Sequence, residues 1–495
     1  MSSRLDQGEA PERRFPWRVA LVAGLVAVFA VAAPDDEKPE PDMALPSAAN
    51  WGDSNSKTPR PSAPNRTDVP WLQPLIDAAP EGGVLALEPG RYAGPVLVDK
   101  KLLIDGGGKV IIDGGGKGTV FTLEASGATL RGLTFTGSGS SHNTDDTCLN
   151  VRGHHNRIED NRFEDCLFGI DLKQSNENVV RKNFIRSLPV DLGIRGDALR
   201  LWYSMNNVVE ENEVVDSRDV VVWYSNGNHI RRNVGRRSRY SLHFMFSQHN
   251  VVEDNQYFEN SVGIYVMYTD GVEIRNNLIS HSLGATGMGI GFKEASDSVV
   301  DGNTIVYCAL GILSDLSPFQ PDSTLSISWN RIAFNGVGMS FIGDKGGTVL
   351  EGNVFEGNIE QIARTGGARL DDTFRGNYWD DYQGFDRDAD AVGDTPYELY
   401  VYADRLWMEE PTAKFFKNAP LMEAIDFLER LAPFSTPELL VRDEAPRFMR
   451  PDLSAPREAV HAPRRPGTGG PAEPARPGEV GDDGTIGGRD EEGSR

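Results

Sequence analysis

The sequence is poor in cysteine, in long apolar runs and in basic charge, and each shortage excludes a class of protein. Three cysteines in 495 residues cannot build a disulfide scaffold, and an odd number cannot pair completely within one chain. Its one long apolar run is shorter than the about 20 residues that a bilayer span needs, which excludes a polytopic membrane protein. Acidic residues outnumber basic ones by 73 to 50, and the formal net charge of −23 excludes nucleic acid as a partner.

Both ends of the chain carry patterns of processing and linker segments. A basic stretch precedes an uncharged apolar run that ends in small residues near Ala33, as before a signal-peptidase site. We therefore expect residues 1–33 to be a signal peptide or an N-terminal anchor, and the protein to be periplasmic. An uncleaved anchor would also associate it with the membrane. Residues 34–66 and 448–495 are rich in proline and charge, which predicts a disordered linker and a disordered tail.

An internal repeat of about 22 residues predicts the fold. An asparagine recurs, and an apolar or aromatic residue usually follows it two positions later. The repeating asparagines are Asn161, Asn183, Asn212, Asn233, Asn255, Asn277, Asn303, Asn330 and Asn353. Short segments of alternating polarity between them indicate strands. This pattern predicts an all-β solenoid, a right-handed parallel β-helix over residues 67–380, with the asparagines stacked in a ladder of side-chain hydrogen bonds.

Helical segments are expected only at the two ends of the solenoid. Residues 71–79 have the apolar content of a short helix that could close the first coil, since an open end exposes unpaired strands. Residues 381–447 are expected to hold an acidic loop and a small helical C-terminal docking segment. The apolar side chains of that segment, at helical spacing, are Leu421, Ile425 and Leu428, and we expect them to bind a partner.

Aligning the coils on the ladder asparagines predicts which side chains face outward. The positions predicted to face inward are Val221, Trp223, Leu242, Phe244, Ile264 and Val266. The positions predicted to face outward are Leu201, Tyr203, Val222, Tyr224, His243, Met245, Tyr265 and Met267. On this alignment Tyr203, Tyr224, Met245 and Met267 form one vertical line, and His243 lies beside Met245.

This outward line has two interpretations. Thioether and imidazole groups suit Cu(I), a soft ion, and successive coils lie about 4.8 Å apart, so His243, Met245 and Met267 are a candidate Cu(I) site for transiently bound copper. The alternative is an apolar docking patch in which methionine is only an adaptable contact, with Tyr203, Tyr224 and Tyr265 binding a partner.

A second candidate metal site lies after the solenoid. Asp386, Asp388, Asp390 and Asp394 place oxygens at alternate positions, as calcium loops do. The sixth position of such a loop is normally glycine but is Ala391 here, and no glutamate stands at the twelfth position. Two interpretations of this segment therefore remain open. It is either a calcium-binding loop or an acidic turn stabilised by its own side-chain hydrogen bonds.

The cysteines and one Arg-Gly-Asp segment are interpreted as structural. Cys148, Cys166 and Cys308 lack the spacing of a metal site and are expected to be small buried hydrophobic residues, with Cys148–Cys166 pairing as the alternative in an exported protein. Asp197, which ends the Arg-Gly-Asp segment, is expected in a buried ion pair or a turn rather than in an adhesion motif.

Three segments resemble the NosD family, the periplasmic maturation proteins of nitrous oxide reductase. They are residues 218–224 (RDVVVWY), 240–245 (YSLHFM) and 376–385 (GNYWDDYQGF). The resemblance implies an exported β-helix that works with the permease and ATPase of a membrane ABC transporter, and possible contact with a copper chaperone. It also implies a role in supplying copper or sulfur for the copper centre of nitrous oxide reductase, and no catalytic residue.

Two other functions remain open on the sequence alone. A carbohydrate-active β-helix enzyme, such as a lyase, hydrolase or epimerase, needs carboxylates and cations clustered on one face. Only Asp171 with Lys173, and Lys293 with Glu294, are candidates, and they look scattered. A non-catalytic polysaccharide-binding protein could instead use tyrosines that stack on sugar rings.

Overall fold

The structure is a computed structural model that describes residues 58–66, 68–343, 346–365, 371–401 and 438–453, together with residues 420, 427 and 428. The expected signal segment, most of the linker and of the tail, and the side chains of Leu421 and Ile425 lie outside the described residues. Among the described helices, none has the length and apolar character to cross a membrane.

The chain winds into a parallel β-helix of about 13 coils, which confirms the predicted fold class. Most coils contribute one strand to each of three faces, here named A, B and C, and neighbouring coils pair in parallel. The strands of face A are β1 (Val84–Ala86), β4 (Leu103–Asp113), β6 (Thr129–Thr136), β8 (Arg157–Glu159), β11 (Val179–Arg181), β14 (Val208–Glu210), β17 (His229–Arg231), β20 (Val251–Glu253), β23 (Glu273–Arg275), β26 (Ser298–Asp301), β29 (Leu325–Ser328), β32 (Thr348–Glu351) and β35 (Thr373–Arg375).

Face B follows face A around each coil, and the long strands β4 and β6 run through both faces. The other strands of face B are β2 (Gly90–Ala93), β9 (Arg162–Cys166), β12 (Phe184–Ser187), β15 (Glu213–Val215), β18 (Val234–Arg236), β21 (Gln256–Phe258), β24 (Leu278–Ser280), β27 (Thr304–Val306), β30 (Arg331–Ala333), β33 (Val354–Glu356) and β36 (Tyr378–Trp379).

Face C is a separate sheet of 12 strands. Its strands are β3 (Val96–Val98), β5 (Phe121–Leu123), β7 (Thr147–Val151), β10 (Phe168–Lys173), β13 (Leu199–Trp202), β16 (Asp219–Trp223), β19 (Tyr240–Met245), β22 (Val262–Met267), β25 (Met288–Lys293), β28 (Leu310–Asp315), β31 (Val337–Ile342) and β34 (Glu360–Thr365). Inward side chains from the three faces form one continuous apolar core along the solenoid.

The predicted asparagine ladder is confirmed. The side-chain Nδ2 of Asn212 donates to Oδ1 of Asn233 in the next coil at 3.0 Å, and the backbone N–H of Asn212 donates to the same oxygen at 3.0 Å. This side-chain step repeats through Asn161, Asn183, Asn212, Asn233, Asn255, Asn277, Asn303, Asn330, Asn353 and Asn377. Because each amide joins two coils, the ladder fixes their stacking.

Both ends of the solenoid are closed by polar side chains that complete the backbone pairing. Helix α1 (Gln73–Ala78) lies at the N-terminal end, where the sequence predicts a helix, and the Gln73 amide bonds both the N–H and the C=O of Leu97 at 2.7 and 3.0 Å. At the other end, the buried Asp443 accepts from the N–H and Nδ2 of Asn377 at 2.9 and 3.0 Å. Asp443 therefore supplies the acceptor that the last ladder asparagine needs.

Asp443 lies on a pair of strands that the sequence pattern did not predict. Strand β37 (Tyr397–Val401) pairs antiparallel with β38 (Glu438–Asp443), and β38 continues face A by pairing with β35. The Tyr397 ring stacks on Trp379 at a centroid distance of 4.4 Å. These contacts cover the last coil of the core.

The structure corrects the preferred interpretation of two cysteines. Cys148 and Cys166 form a disulfide, so they are not free hydrophobic residues, and the alternative of pairing holds. Cys308 is free and buried, and burial raises the pKa of its thiol to about 11. Asp197 is buried and pairs with Arg218 at 2.9 Å, which confirms the buried ion pair.

Candidate functional site

The strand register of face C defines two outward columns of side chains. The first column, in order along the solenoid, is Trp202, Trp223, Met245, Met267, Lys293 and Asp315. The second column, two positions earlier in each strand, is Arg200, Val221, His243, Tyr265, Gly291 and Leu313. The outward placement predicted for His243, Met245, Tyr265 and Met267 is therefore the observed one.

The two coils before His243 are shifted by one residue from the sequence-based alignment. Val222 and Leu201 were expected to face outward but are fully buried in the core. Trp223 was expected to face inward but is only half-buried and pairs with Met245, while Trp202 pairs with Trp223. The outward line above Met245 thus consists of tryptophans, not of the expected tyrosines.

A β-bulge at the start of β19 is the physical reason for this shift. The backbone N–H groups of Arg239 and Tyr240 both donate to the carbonyl oxygen of Arg218, at 2.8 and 3.3 Å. In the register that follows, Asp219 pairs with Tyr240 but Val221 pairs with His243, so Ser241 and Leu242 lie opposite the single residue Val220. The coil that begins at Asn233 thus has one added residue, and the side-chain alternation is displaced from there on.

The bulged strand brings an imidazole and a thioether together. Nε2 of His243 lies 3.2 Å from Sδ of Met267 on the adjacent coil. Met245 pairs directly with Met267 in the register, so the second thioether belongs to the same patch. His243 is 9% exposed, whereas the two methionines are half-buried. Burial lowers the pKa of His243 to about 4, so its ring is neutral at physiological pH.

Aromatic rings enclose the His243 side chain. The Tyr240 ring centroid lies 4.8 Å and the Tyr265 ring centroid 6.0 Å from that of His243. A Cβ at Gly291 would lie 2.6 Å from Cδ2 of Tyr265, so the absence of a side chain there leaves room for this ring. Burial raises the pKa of Tyr265 to about 12, so the phenol stays protonated and is not an anionic ligand.

The donor set fits a soft monovalent cation. A neutral imidazole and two thioethers bring no negative charge, which suits Cu(I) better than hard divalent ions that prefer carboxylates. With metal–nitrogen and metal–sulfur bonds of about 2.0 and 2.3 Å, an ion between Nε2 and Sδ needs these atoms only about half an ångström farther apart than they are. Half-buried side chains can make that adjustment by small torsion changes.

Tyr203 and Tyr224 lie at the corner after face C instead of on it. Their ring centroids are 4.9 Å apart, and the stack continues to Phe246 and Tyr268 with 5.1 Å steps. All four residues adopt positive φ between 49° and 52°. Stacked rings cover one another's faces, so this corner offers ring edges, which disfavours Tyr203 and Tyr224 as platforms for sugar rings. Their predicted role in partner binding stays a prediction.

The two candidate charged pairs of face C are scattered as expected, because Asp171 and Lys173 lie on β10 and Lys293 lies on β25, five strands farther along the sheet. The first pair belongs to a local cluster of charges. Asp171 is fully buried and bonds Arg200 at 2.7 and 3.0 Å, and Lys173 lies 2.9 Å from Asp145. Burial alone would raise the pKa of Asp145, but Lys173 and Arg200 outweigh it and lower that pKa. Two carboxylates and two cations that neutralise one another do not provide the free acid and base of a glycosidase.

The acidic loop uses its carboxylates on its own backbone. Asp386 accepts from the N–H groups of Asp390 and Ala391 at 3.2 and 3.1 Å, and Asp394 accepts from that of Arg387 at 2.8 Å. Oxygens of Asp386, Asp388 and Asp390 lie within 4.8 Å of one another. The hydrogen bonds are those expected of an acidic turn, and calcium binding here stays a prediction.

Little of the expected C-terminal docking segment is described. Leu428 is helical and 57% exposed, and its neighbour Phe427 is 60% exposed. Leu421 and Ile425 lie outside the described residues, so the apolar stripe that these residues would form stays a prediction.

The fold and the cluster together define a parallel β-helix that carries soft ligands on one outer face. Residues 184–384 match the family model described as "Periplasmic copper-binding protein (NosD)", and His243, Met245 and Met267 all lie within this range. The resemblance to the NosD family is thereby confirmed over these residues.

Two curated relatives carry the name "Probable ABC transporter binding protein NosD". The protein of Pseudomonas aeruginosa is 33% identical over 134 residues, which cover 26% of this chain and 31% of the relative. The protein of Stutzerimonas stutzeri is 38% identical over 88 residues, which cover 17% of this chain and 20% of the relative. The alignments thus span less than a third of either relative.

Solved structures of similar shape are β-helix proteins of low sequence identity. The A-module of the mannuronan C-5 epimerase AlgE6 from Azotobacter vinelandii has a TM-score of 0.45 at 16% identity, over 62% of this chain and 93% of that one. An exopolygalacturonase from Thermotoga maritima has a TM-score of 0.39 at 9% identity, over 57% of this chain and 81% of that one. At these values the likeness concerns the coiled fold alone.

Proposed function

We propose that this protein binds Cu(I) on face C through His243, Met245 and Met267, and that it serves in assembling the copper centre of nitrous oxide reductase. The observation that supports this most strongly is the 3.2 Å approach of Nε2 of His243 to Sδ of Met267, with Met245 as the neighbour in register. The family description of a periplasmic copper-binding protein agrees with this chemistry.

The proposed site suits transient binding. His243 is almost fully buried and neutral, so it offers a preorganised nitrogen without competing protons at neutral pH. The two methionines are half-buried, and their flexible thioethers leave one side of the ion accessible to a further ligand from a donor or acceptor protein. Three neutral ligands on two coils therefore favour an ion that is taken up and passed on rather than permanently enclosed.

The partners follow from the family and are proposed with it. The curated relatives are named as binding proteins of an ABC transporter, so we propose that this chain works with the permease and ATPase of such a transporter in the periplasm. Nitrous oxide reductase is then the recipient of the copper, and a copper chaperone is a possible donor.

A competition titration with a chromogenic Cu(I) chelator tests the site. We expect the variant Met245→Ala/Met267→Ala to lose affinity at least about 10-fold, because two of three ligands are gone. Met288→Ala is the matched control, since Met288 is also half-buried on face C but lies outside the cluster. Equal affinity in the wild type and the double variant would contradict the site and favour the apolar docking patch.

A genetic experiment tests the larger role. Deleting the gene should leave nitrous oxide reductase exported but without its catalytic copper cluster, and the double methionine variant should restore the cluster poorly. A complete copper cluster in the deletion strain would contradict the assembly role, even if the purified protein binds Cu(I).

A further inference from the structure

The position of His243 depends on the β-bulge at the start of β19. The bulge adds one residue before His243 and thereby places its ring on the outer surface, in line with Val221 and Tyr265. Without the added residue, the strand alternation would displace every following side chain of β19 to the opposite face. Whatever stabilises the bulge therefore controls whether His243 can reach Met267.

A buried carboxylate on the preceding coil stabilises this bulge. Oδ1 of Asp219 accepts from the backbone N–H of Tyr240 at 3.1 Å and from Nε of Arg239 at 3.0 Å. These are the two residues whose N–H groups share the carbonyl oxygen of Arg218. Asp219 is 1% exposed, so its bonds are shielded from water and hold the bulged backbone firmly.

The same carboxylate is connected to the imidazole through one aromatic ring. Tyr240, whose N–H is bound by Asp219, packs its ring against His243 at a centroid distance of 4.8 Å. The guanidinium group of Arg239 packs over the same Tyr240 ring, with its central carbon 4.7 Å from the ring centroid. The path from carboxylate to bulge to ring to imidazole is thus continuous.

We propose that Asp219 is a positioning residue of the Cu(I) site, which holds the β19 bulge so that His243 lies against Met267. This inference rests on the proposed function for its copper-dependent part. Its structural part, the control of the contact between His243 and Met267 by Asp219, concerns the metal-free protein and is separately testable.

The preceding coil offers a matched control. Asp197 is also a buried carboxylate and forms an ion pair of the same kind with Arg218, at 2.9 Å, as Asp219 forms with Arg239. It accepts no hydrogen bond from the backbone of β19 among the described contacts. Arg218 also lies 3.8 Å from Asp219, so removing Asp197 disturbs a similar ion pair next to the bulge while the hydrogen bond from Tyr240 to Asp219 remains.

The experiment compares Asp219→Leu, Asp219→Asn and Asp197→Leu in the full-length protein. The first readout is the nuclear Overhauser contact between the His243 ring and the Met267 methyl group in metal-free, methyl-labelled protein. We expect this contact to disappear in Asp219→Leu and to remain in Asp219→Asn, which keeps an oxygen acceptor for Tyr240, and in Asp197→Leu. Persistence of the contact in Asp219→Leu overturns the proposal, whether or not the protein binds copper.

The second readout is Cu(I) affinity by chelator competition. We expect Asp219→Leu to bind about 10- to 100-fold more weakly, the usual range for a residue that orients a ligand, and Asp219→Asn to recover most of the loss. An equal loss in Asp197→Leu would overturn the proposal in favour of general destabilisation. If His243→Ala keeps full affinity while the methyl contact follows the expected pattern, the copper assignment fails and the positioning role stands.

A milder variant covers the case in which Asp219→Leu does not fold. Arg239→Met removes the cation that holds the Asp219 carboxylate, and the Arg239 side chain is 42% exposed, so the fold tolerates its loss more easily. We expect a weaker methyl contact and a loss of Cu(I) affinity of a few-fold. Unchanged values for both would overturn the proposal.

Discussion

The face C cluster and the acidic loop are both candidate metal sites, but their donor atoms are used differently. In the loop, Asp386 and Asp394 accept hydrogen bonds from the backbone of the same turn. In the cluster, the donors come from two neighbouring coils, and the asparagine ladder and the strand pairing already satisfy the backbone. The side chains of His243 and Met267 are therefore not needed to hold their own strands in place.

This difference shows why spacing alone is a weak sign of a metal site. Carboxylates at alternate positions match a calcium loop, yet the same oxygens also stabilise a tight turn. Side chains on the outer face of a solenoid are not needed for the hydrogen bonds of their own strands. When their donor atoms lie close together, metal binding is therefore indicated more strongly.

The largest effect is expected from removing the buried imidazole. His243→Ala should weaken Cu(I) binding by about 100-fold, because a ligand held in place by packing is lost. Asp386→Asn/Asp390→Asn should leave Cu(I) affinity within about twofold, because hard carboxylates in the loop are poor Cu(I) ligands. Chelator competition measures both, and a comparable loss in the loop variant would abolish the distinction between the two sites.

The second prediction concerns pH. The pKa of His243 is about 4 in the folded protein but near 6.5 when exposed, so the unfolded chain binds a proton that the folded protein excludes. The free energy of unfolding should therefore fall as pH decreases from 7 to 5, by about 2 kcal/mol more in the wild type than in His243→Gln.

Chemical denaturation of the two proteins at pH 7 and pH 5 measures this difference. The loop variant Asp386→Asn/Asp390→Asn is the control and should keep the full pH dependence that His243 causes. If the wild type and His243→Gln lose the same stability between these pH values, His243 is not held as a buried neutral ring.

The smallest effect is expected from the backbone of the acidic loop. Ala391 adopts a φ of 68°, a left-handed conformation that glycine reaches without strain. Ala391→Gly should therefore raise the free energy of unfolding by about 0.5 to 1 kcal/mol, because the relief of backbone strain exceeds the cost of the added chain entropy. Thermal denaturation of the wild type and Ala391→Gly, with and without calcium, measures this difference in stability. A less stable variant would mean that the positive φ of Ala391 does not strain the loop.

Much of the fold was predictable because its signals are periodic. The spacing of Asn161, Asn183 and their successors predicted both the coils and the ladder, since one amide per coil must face the next. The helix at residues 73–78 was predictable from apolar content next to an open end. Strand β38 and Asp443 were not, because Asp443 completes the ladder from a point 66 residues after Asn377.

The candidate site was predictable in part for a related reason. Met245 and Met267 lie at the same distance in sequence from the ladder asparagines of their coils. Counting from those asparagines therefore placed both methionines on the outer face. The tryptophans Trp202 and Trp223 were missed because the bulge shows in the sequence only as one added residue between Asn233 and Asn255, and the spacing does not tell where in the coil that residue lies. The buried Asp219 was missed for the same reason, since its role is visible only in three dimensions.

X-ray absorption of the wild-type protein loaded with one equivalent of Cu(I) tests the proposed copper site at the level of its ligands. We expect a copper coordination of one imidazole nitrogen at about 2.0 Å and about two sulfur scatterers at about 2.3 Å. The sulfur signal should fall in Met245→Ala/Met267→Ala and stay unchanged in Met288→Ala. A spectrum of oxygen and nitrogen ligands without sulfur, or one that the double variant leaves unaltered, would refute copper binding by these methionines.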